Sequence, residues 1–315
     1  MFVGVDHGST AIRFASSQGD RFLIRRDTAG RMESSDIARA VVEGLGADRI
    51  ELLALCYSMG DGLTRITRIE DATNRGLASL EGAGLSVGGG TRVYEAVLSA
   101  GWQAVLLPGI HQGSHVDRRM KVFSHGASPE KVGLAYRVCP GEGSAVICDC
   151  SSNTVTVGVL KGRIVGAIDA PIFAPGLLHG PLDVEAIRRV DQGLTSANSA
   201  FSHGGVLRKK GYESLEGCPP EVREDALEAL ALFAAMEICA MKVLLRDLGD
   251  PEPDLYLAGD PAPILAPRVS ELAGQGVRPL DSFSSAEGCA HIAQDVWAGK
   301  ECIMGIGVDR RVWNR

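Results

Sequence analysis

One arrangement occurs twice in this chain, and it limits the possible folds more than any other feature. An apolar, β-prone run ends at an aspartate, a short turn of small polar residues follows, and a second β-prone run leaves the turn. The first copy is Phe2-Val3-Gly4-Val5-Asp6-His7-Gly8-Ser9-Thr10-Ala11-Ile12-Arg13-Phe14-Ala15. The second is Ser144-Ala145-Val146-Ile147-Cys148-Asp149-Cys150-Ser151-Ser152-Asn153-Thr154-Val155-Thr156-Val157-Gly158-Val159. Each reads as a hairpin. A turn this short, rich in N–H and hydroxyl donors, can wrap a phosphate with backbone amides. The aspartate cannot itself bind phosphate, but it can hold a hydrated Mg²⁺ that does. Alone, such a hairpin is an ordinary strand end. Two of them, one opening each half of the chain, predict an internal duplication with a nucleotide between the halves.

The 315 residues suffice for two domains of ordinary size. Hydrophobic residues make up 45% and charged residues 23%, a globular balance. The formal charge of −7 offers no basic footprint for nucleic acid. Aromatics at 5% give no platform for stacking single strands. No run of about 18 apolar residues predicts a membrane span, and Met1 leads straight into a strand with no basic leader. The expectation is a cytoplasmic protein with no nucleic-acid or membrane partner.

Eight cysteines in such a chain argue for reduced thiols rather than a disulfide framework. Cys56, Cys148 and Cys239 lie in apolar strands or helices and read as small hydrophobes. Cys148 and Cys150 share one strand face while Asp149 points the other way. No second pair has zinc spacing, so packing is the favoured role. His111 and His115 stand four apart, but in a loop-like context that disfavours a metal site.

Along the chain, residues 21–25 add a third strand to the first hairpin, and Ser34-Ser35-Asp36 opens a helix closed by Gly46. Residues 50–57 form a run apolar but for Glu51, the mark of a central strand covered on both faces. It breaks at Ser58-Met59-Gly60-Asp61-Gly62, the place where open α/β sheets put ligands. Asp61 is a candidate base or metal ligand there, and a plain turn fits equally well. Residues 64–71 read as a strand, and Thr91 as the cap of a helix to Ala100. A strand follows at 104–107. Ser128 reads as an N-cap before Pro129, with the helix ending near Pro140-Gly141. The Gly- and Pro-rich stretch 174–182 excludes regular structure and can approach a ligand closely. Asp183 caps a short helix. Pro219-Pro220 opens the longest one, with Leu227, Leu230, Ala234, Ile238, Met241, Leu245 and Leu248 on one face. Glu237 and Lys242 on that helix read as a solvated or salt-bridged rim. A strand at 255–258 runs into Gly259-Asp260, where bare backbone can lie against a flat ring. The last long helix begins near Ser285, and Gly288 inside it, about 1 kcal/mol worse than Ala, points to close packing.

In order, these segments resemble the actin-like ATPase superfamily of sugar kinases, acetate kinases and heat-shock chaperones. Asp6 to Thr10 is similar to its first phosphate motif and Asp149 to Thr154 to its second. Leu257-Ala258-Gly259-Asp260 is similar to the adenosine motif, and Ala286-x-Gly288-x-Ala290 to the second connecting helix. More narrowly, the chain resembles the archaeal family called methanogenesis marker protein 12. Val3-Gly4-Val5-Asp6-His7-Gly8, Tyr57-Ser58-Met59-Gly60-Asp61-Gly62 and His179-Gly180-Pro181-Leu182-Asp183-Val184-Glu185-Ala186-Ile187-Arg188 carry that likeness.

The resemblance implies an α/β chain of two actin-like (ribonuclease H-like) domains, each a mixed sheet flanked by helices, with ATP and Mg²⁺ in the cleft between them. Their expected extents are 1–141 and 142–302, with 303–315 a tail docked on the core. Asp6 and Asp149 would hold the metal through water. Gly8, Ser9, Thr10, Ser151, Ser152, Asn153 and Thr154 would hold phosphates, with Gly259 and Asp260 beside the adenosine. Asp61 would act as base, with Lys131 or His125 stabilising charge. The sequence departs from the superfamily at Ser151-Ser152-Asn153 and at Asp260, where glycines are usual, and at His7. Two functions follow: an ATP-dependent phosphotransferase or ATPase acting on a small molecule, or a nucleotide-gated assembly factor for a methanogenesis enzyme. Expected partners are the nucleotide, a small acceptor or a protein, and a second copy in a homodimer.

Overall fold

The computed structural model describes residues 1–57, 62–76 and 88–313. Its elements begin with β1 (Phe2–His7), β2 (Ala11–Ser16), β3 (Arg21–Arg25), α1 (Arg26–Ala29), α2 (Ser34–Leu45), β4 (Leu52–Cys56) and β5 (Thr67–Arg68). They continue with α3 (Gly89–Ser99), β6 (Ala104–Leu106), β7 (Ile110–His111), β8 (His125–Ala127) and α4 (Glu130–Val138). Then come β9 (Ala145–Cys150), β10 (Thr154–Leu160), β11 (Arg163–Ile168), α5 (Val184–Asp191), α6 (Ala197–Ser202) and α7 (Pro220–Asp247). The chain closes with β12 (Asp254–Ala258), α8 (Ala262–Ala273), β13 (Val277–Pro279), α9 (Ser284–Trp297), β14 (Cys302–Ile303) and β15 (Ile306–Gly307).

The chain divides into two compact units. The first comprises Met1–Gly143, Lys161–Ile164 and Phe283–Arg315; the second comprises Ser144–Leu160 and Val165–Ser282. The expected extents put the last long helix with the second half. Here α9 belongs to the first unit, because it packs on β1, β4 and α4. The tail is tied to that helix by Trp313 Nε1, which donates to Val296 O at 2.8 Å.

In the first unit the main sheet of the described residues runs β3-β2-β1-β4-β6-β5. β1, β4 and β6 are parallel, while β2, β3 and β5 join antiparallel. β4 is buried at every residue, as an apolar run covered on both faces must be. Alternation assigns the two faces. Val3, Val5, Leu53 and Leu55 pack with Ile37 and Val41 of α2 and Val93 and Val97 of α3. Gly4 faces the other way, where a Cβ would overlap Ala286 O and Ala290 N of α9. A Cβ at Gly288 would likewise overlap Gly133 O of α4, so backbone lies on backbone where these helices cross.

In the second unit the sheet order is β11-β10-β9-β12-β13, the same succession as β3-β2-β1-β4-β6. The register repeats as well. Asp6 lies opposite Cys56, the last residue of β4, and Asp149 opposite Ala258, the last residue of β12. The duplication expected from the two hairpins is thus present in topology and in register. α7 packs on β9 and β10, and α8 on α7 and β13.

Local details differ from the sequence reading. Residues 64–71 form only the short β5 and a 3₁₀ turn. Thr91 lies inside α3, with its hydroxyl on Tyr57 rather than on a helix amide. Ser128 does not cap α4; its hydroxyl donates to the Glu130 carboxylate. Cys239 is exposed rather than buried, whereas Cys56, Cys148 and Cys150 are buried. No helix among the described residues is long and apolar enough to cross a membrane.

Candidate functional site

Asp6 is the next-to-last residue of β1, and the antiparallel register sets Arg13 of β2 across from it. Arg13 Nη1 stands 3.9 Å from Asp6 Oδ2, so a guanidinium balances this carboxylate. The turn that follows is tight. A Cβ at Gly8 would sit 2.7 Å from Ala11 O and 2.9 Å from Arg13 Nη1, a space that only glycine leaves open. Arg26 braces the turn: its Nη1 donates to Gly8 O at 2.9 Å and His7 O at 3.3 Å, and its backbone N–H to Thr10 O at 2.9 Å. Ser9 and Thr10 are left exposed at the turn's tip.

His7, one residue on from Asp6, points to the α2–α3 face. Its ring meets the Tyr57 ring edge-on at 5.8 Å. The Tyr57 hydroxyl is 2.9 Å from Thr91 Oγ1, and Arg75 Nη1 reaches both at 3.4 and 3.5 Å. Burial, with the Arg26 charge added, lowers the His7 imidazole to about 4, so the ring is neutral at physiological pH.

On the Asp6 face the first turn of α4 carries Glu130 and Lys131. Lys131 Nζ donates to Glu130 Oε1 at 3.0 Å. Burial works to raise the Glu130 carboxyl, but the Lys131 charge and the Ser128 hydroxyl outweigh it and hold it below the ordinary range. The fields of Glu130 and Asp6 both reach Cys56, whose thiol burial pushes up. Cys56 Sγ is 3.2 Å from Cys289 Sγ of α9. The first unit therefore gathers Asp6, the Gly8–Thr10 turn and the Glu130–Lys131 pair at one end of its sheet. His125 opens β8 just ahead of α4, paired with His111 of β7. The His111 ring is engaged by Leu63 O and Gly113 N–H at 2.8 and 3.2 Å, an ordinary buried histidine. Asp61, with Ser58 to Gly60, lies outside the described residues.

In the second unit Asp149 faces Val155 on β10, where the first unit has Arg13. The turn after it is braced from behind by residues 175–179. Leu177 N–H donates to Ser151 O at 3.0 Å, and the Leu178 and His179 N–H groups to Ser152 O at 2.9 and 2.8 Å. Thr154 Oγ1 donates to Pro175 O at 2.9 Å. A Cβ at Gly176 would strike Ser152 and Asn153. The Gly- and Pro-rich stretch thus presses on the polar turn itself and fixes its shape without the glycines usual there. Gly259 has φ +102°, and a Cβ on it would overlap Cys150 O and stand 3.2 Å from Asp149 Oδ1. Bare backbone therefore lies beside Asp149, while Asp260 is exposed. A groove of about 310 Å³ runs between α7 and α8, lined by Arg223, Leu227, Ala231, Ile264, Leu265 and Arg268.

Glu237 of α7 corrects the sequence reading. It is fully buried, not on a rim. Its Oε2 shares a hydrogen bond of 2.6 Å with Thr156 Oγ1, and its Oε1 accepts from Ala174 N–H at 3.3 Å. It pins the start of the bracing loop to the sheet. Lys242 does lie on a rim, donating to Gln275 Oε1 at 2.7 Å.

Among the described residues no group of three or more His, Cys, Asp or Glu side chains could cage a metal. Single carboxylates such as Asp6 and Asp149 are hard oxygen donors that suit Mg²⁺ held mainly by water and phosphate. Several members of these half-sites escaped sequence reasoning: Arg13, Arg26, Arg75 and the bracing role of residues 175–179. Arg13 could have been found by counting register back from the turn. Arg75 carries no local signal, and the Gly- and Pro-rich composition of 174–182 announced a close approach without saying that its partner is the polar turn.

No family model matches the chain. Solved structures of similar fold include a propionate kinase from Francisella tularensis, with a TM-score of 0.57 at 8% identity over 93% of this chain and 98% of that one. Acetate kinase from Entamoeba histolytica has a TM-score of 0.55 at 10% identity, covering 85% and 84%. A glucokinase from Streptomyces griseus, in complex with glucose and AMPPNP, has a TM-score of 0.50 at 13% identity, covering 93% and 99%. These likenesses show a two-domain, actin-like α/β fold. By sequence, a UPF0285 protein of Methanosarcina mazei is 46% identical over 322 residues, covering 98% of this chain and 99% of that one. One of Methanocaldococcus jannaschii is 37% identical over 326 residues, covering 98% of each. With that identity spread over nearly the whole length, the chain belongs to the UPF0285 family.

Proposed function

We propose that this protein binds ATP with Mg²⁺ and transfers a phosphoryl group to a small acceptor in the metabolism of methanogens. The observation that carries the reading is the repeated register. Two strands carry an aspartate as their next-to-last residue at equivalent places, each strand followed by a turn of small polar residues, and bare Gly259 backbone lies beside one of the aspartates. The AMPPNP in the glucokinase of like fold, and the genera of the relatives, support it.

Asp6 and Asp149 hold the hydrated metal in this reading. Gly8, Ser9 and Thr10 bind one phosphate through amides and hydroxyls, and Ser151, Ser152, Asn153 and Thr154 another. Gly259 and Asp260 flank the adenosine, and the groove beginning at the first turns of α8 offers Leu227 and Ile264 as apolar wall. Bound Mg²⁺ supplies charge neutralisation across the phosphates, since phosphoryl transfer depends mainly on positioning and electrostatics. Asp61 takes the acceptor proton, and His125 and Lys131 offset developing charge. Lys131 does so from a fixed position, because Glu130 holds its ammonium.

Calorimetric titration of the full chain with ATP tests this. Asp149→Asn is expected to weaken binding in Mg²⁺ tenfold or more and to leave the residual binding in EDTA unchanged. Equal Mg²⁺-dependent binding by parent and variant overturns the metal role. The commitment of Lys131 to Glu130 favours a second reading, a nucleotide-gated assembly factor for a methanogenesis enzyme. Tight ATP binding with no turnover in the presence of carboxylate, sugar and alcohol acceptors would select it.

A further inference from the structure

The carboxyl ends of β1 and β4 carry a second cluster, on the sheet face turned away from Asp6. Helix α3 starts there with Gly89, Gly90 and Thr91. Its first N–H groups have no intrahelical acceptors, no side chain among the described residues caps them, and the helix presents its positive end. Arg26 lies against that end. Its Cγ would be 3.1 Å from a Cβ on Gly89 and its Nη2 3.3 Å from one on Gly90. Arg75 approaches through Tyr57 and Thr91, with its own backbone at φ 55°, a region few non-glycine residues occupy.

The His7 ring closes the cluster. It is 6% exposed, and its Cδ2 edge is 3.3 Å from the Gly90 Cβ position. The Cys56 carbonyl is near, yet neither ring nitrogen makes a well-formed hydrogen bond with a described group. A guanidinium such as that of Arg26 beside a helix N-terminus is unfavourable by itself. Among the described residues no carboxylate forms an ion pair with Arg26; its Nη1 serves backbone carbonyls only. An anion resolves all of these features together: it meets the bare amides, the guanidiniums and the buried imidazole.

We propose that Arg26, Arg75, His7 and the Gly89–Thr91 end of α3 form an anion subsite that takes the carboxylate or phosphate group of the acceptor. That the anion belongs to an acceptor rests on the kinase reading; the binding itself does not.

The test uses the full chain without nucleotide or metal and two probes, acetate and inorganic phosphate. Binding is followed by calorimetry and by the amide resonances of ¹⁵N-glycine-labelled protein. At least one probe is expected to bind saturably and to shift Gly89 and Gly90. Acetate alone indicates a carboxylate acceptor and phosphate alone a phosphorylated one. Arg26→Gln should weaken binding tenfold or more. Because Arg26 also braces the first turn, Gly90→Ala provides an independent arm, its methyl filling the cradle, with the same loss expected. The double variant Ser9→Ala, Thr10→Ala should not move it. No saturable binding of either probe overturns the subsite. So does binding that the double variant abolishes and Gly90→Ala spares, since the anion then sits in the phosphate turn. A failed ATP titration beside a positive result here would remove the kinase reading and leave the subsite standing.

Discussion

Burial raises the Glu237 carboxyl to about 8, so in the folded chain at neutral pH it carries its proton. Thr156 and the Ala174 amide work in the opposite direction, but desolvation is the larger effect. The sign of the linkage follows. The unfolded chain releases this proton near 4.5 while the folded chain keeps it to about 8. Below 4.5 the stabilisation is fully present, and it is lost as pH rises across that window. The expected loss is roughly 3–5 kcal/mol. Glu237→Gln keeps both hydrogen bonds, with its amide donating to Thr156 and its carbonyl accepting from Ala174, and carries no proton to lose. Denaturant unfolding monitored from pH 5 to 8 should therefore show a flatter stability profile for the variant than for the parent. Equal slopes would assign the effect to other groups. The place of Glu237 was in fact legible: it stands three residues after Ala234 and four before Met241, on the apolar stripe itself. The bias against burying carboxylates hid it, and the partner that permits burial, Thr156, is 81 residues distant in sequence.

Among elements, the crossing of α4 and α9 is the one most dependent on missing side chains. Gly133 and Gly288 lie against each other's helices, and Gly4 lies under α9. An exposed helical glycine gains about 1 kcal/mol on becoming alanine. At Gly288 the methyl would meet the Gly133 carbonyl, which belongs to a backbone and cannot turn away. Gly288→Ala should therefore destabilise the first unit by about 2 kcal/mol or more, the ordinary cost of overpacking. Thermal denaturation would show a lowered transition, and an unchanged or raised one would mean that the helices separate freely. The sequence signalled a close approach at Gly288 but not its partner, because a glycine in α4 looks the same whether or not another helix crosses it. The same gap hid the cluster around α3. Thr91 was expected at a helix start, and its bond to Tyr57 depends on β4 and α3 being neighbours, which no local pattern reports.

For the whole molecule, the strand order of one unit repeats in the other, and this was readable from two hairpins because each copy is contiguous in sequence. The return of residues 283–315 to the first unit was not readable, since an amphipathic helix states that it needs a partner and not which one. The return has a physical consequence. Both faces of a largely parallel sheet must be covered, and in the first unit α9 covers the face that carries Gly4 and Cys56. A chain cut after residue 143 keeps α2 and α3 on one face and leaves β1 and β4 bare on the other. Residues 144–282 keep α7 on their own sheet. The fragment 144–282 is therefore expected to unfold cooperatively by circular dichroism, with dispersed amide resonances. The fragment 1–143 should lack that dispersion until a peptide of residues 283–313 is added, and then gain it. A first fragment that folds alone would show that α9 is dispensable to its unit. A second fragment that fails to fold would show that its sheet depends on more than the helices packed upon it.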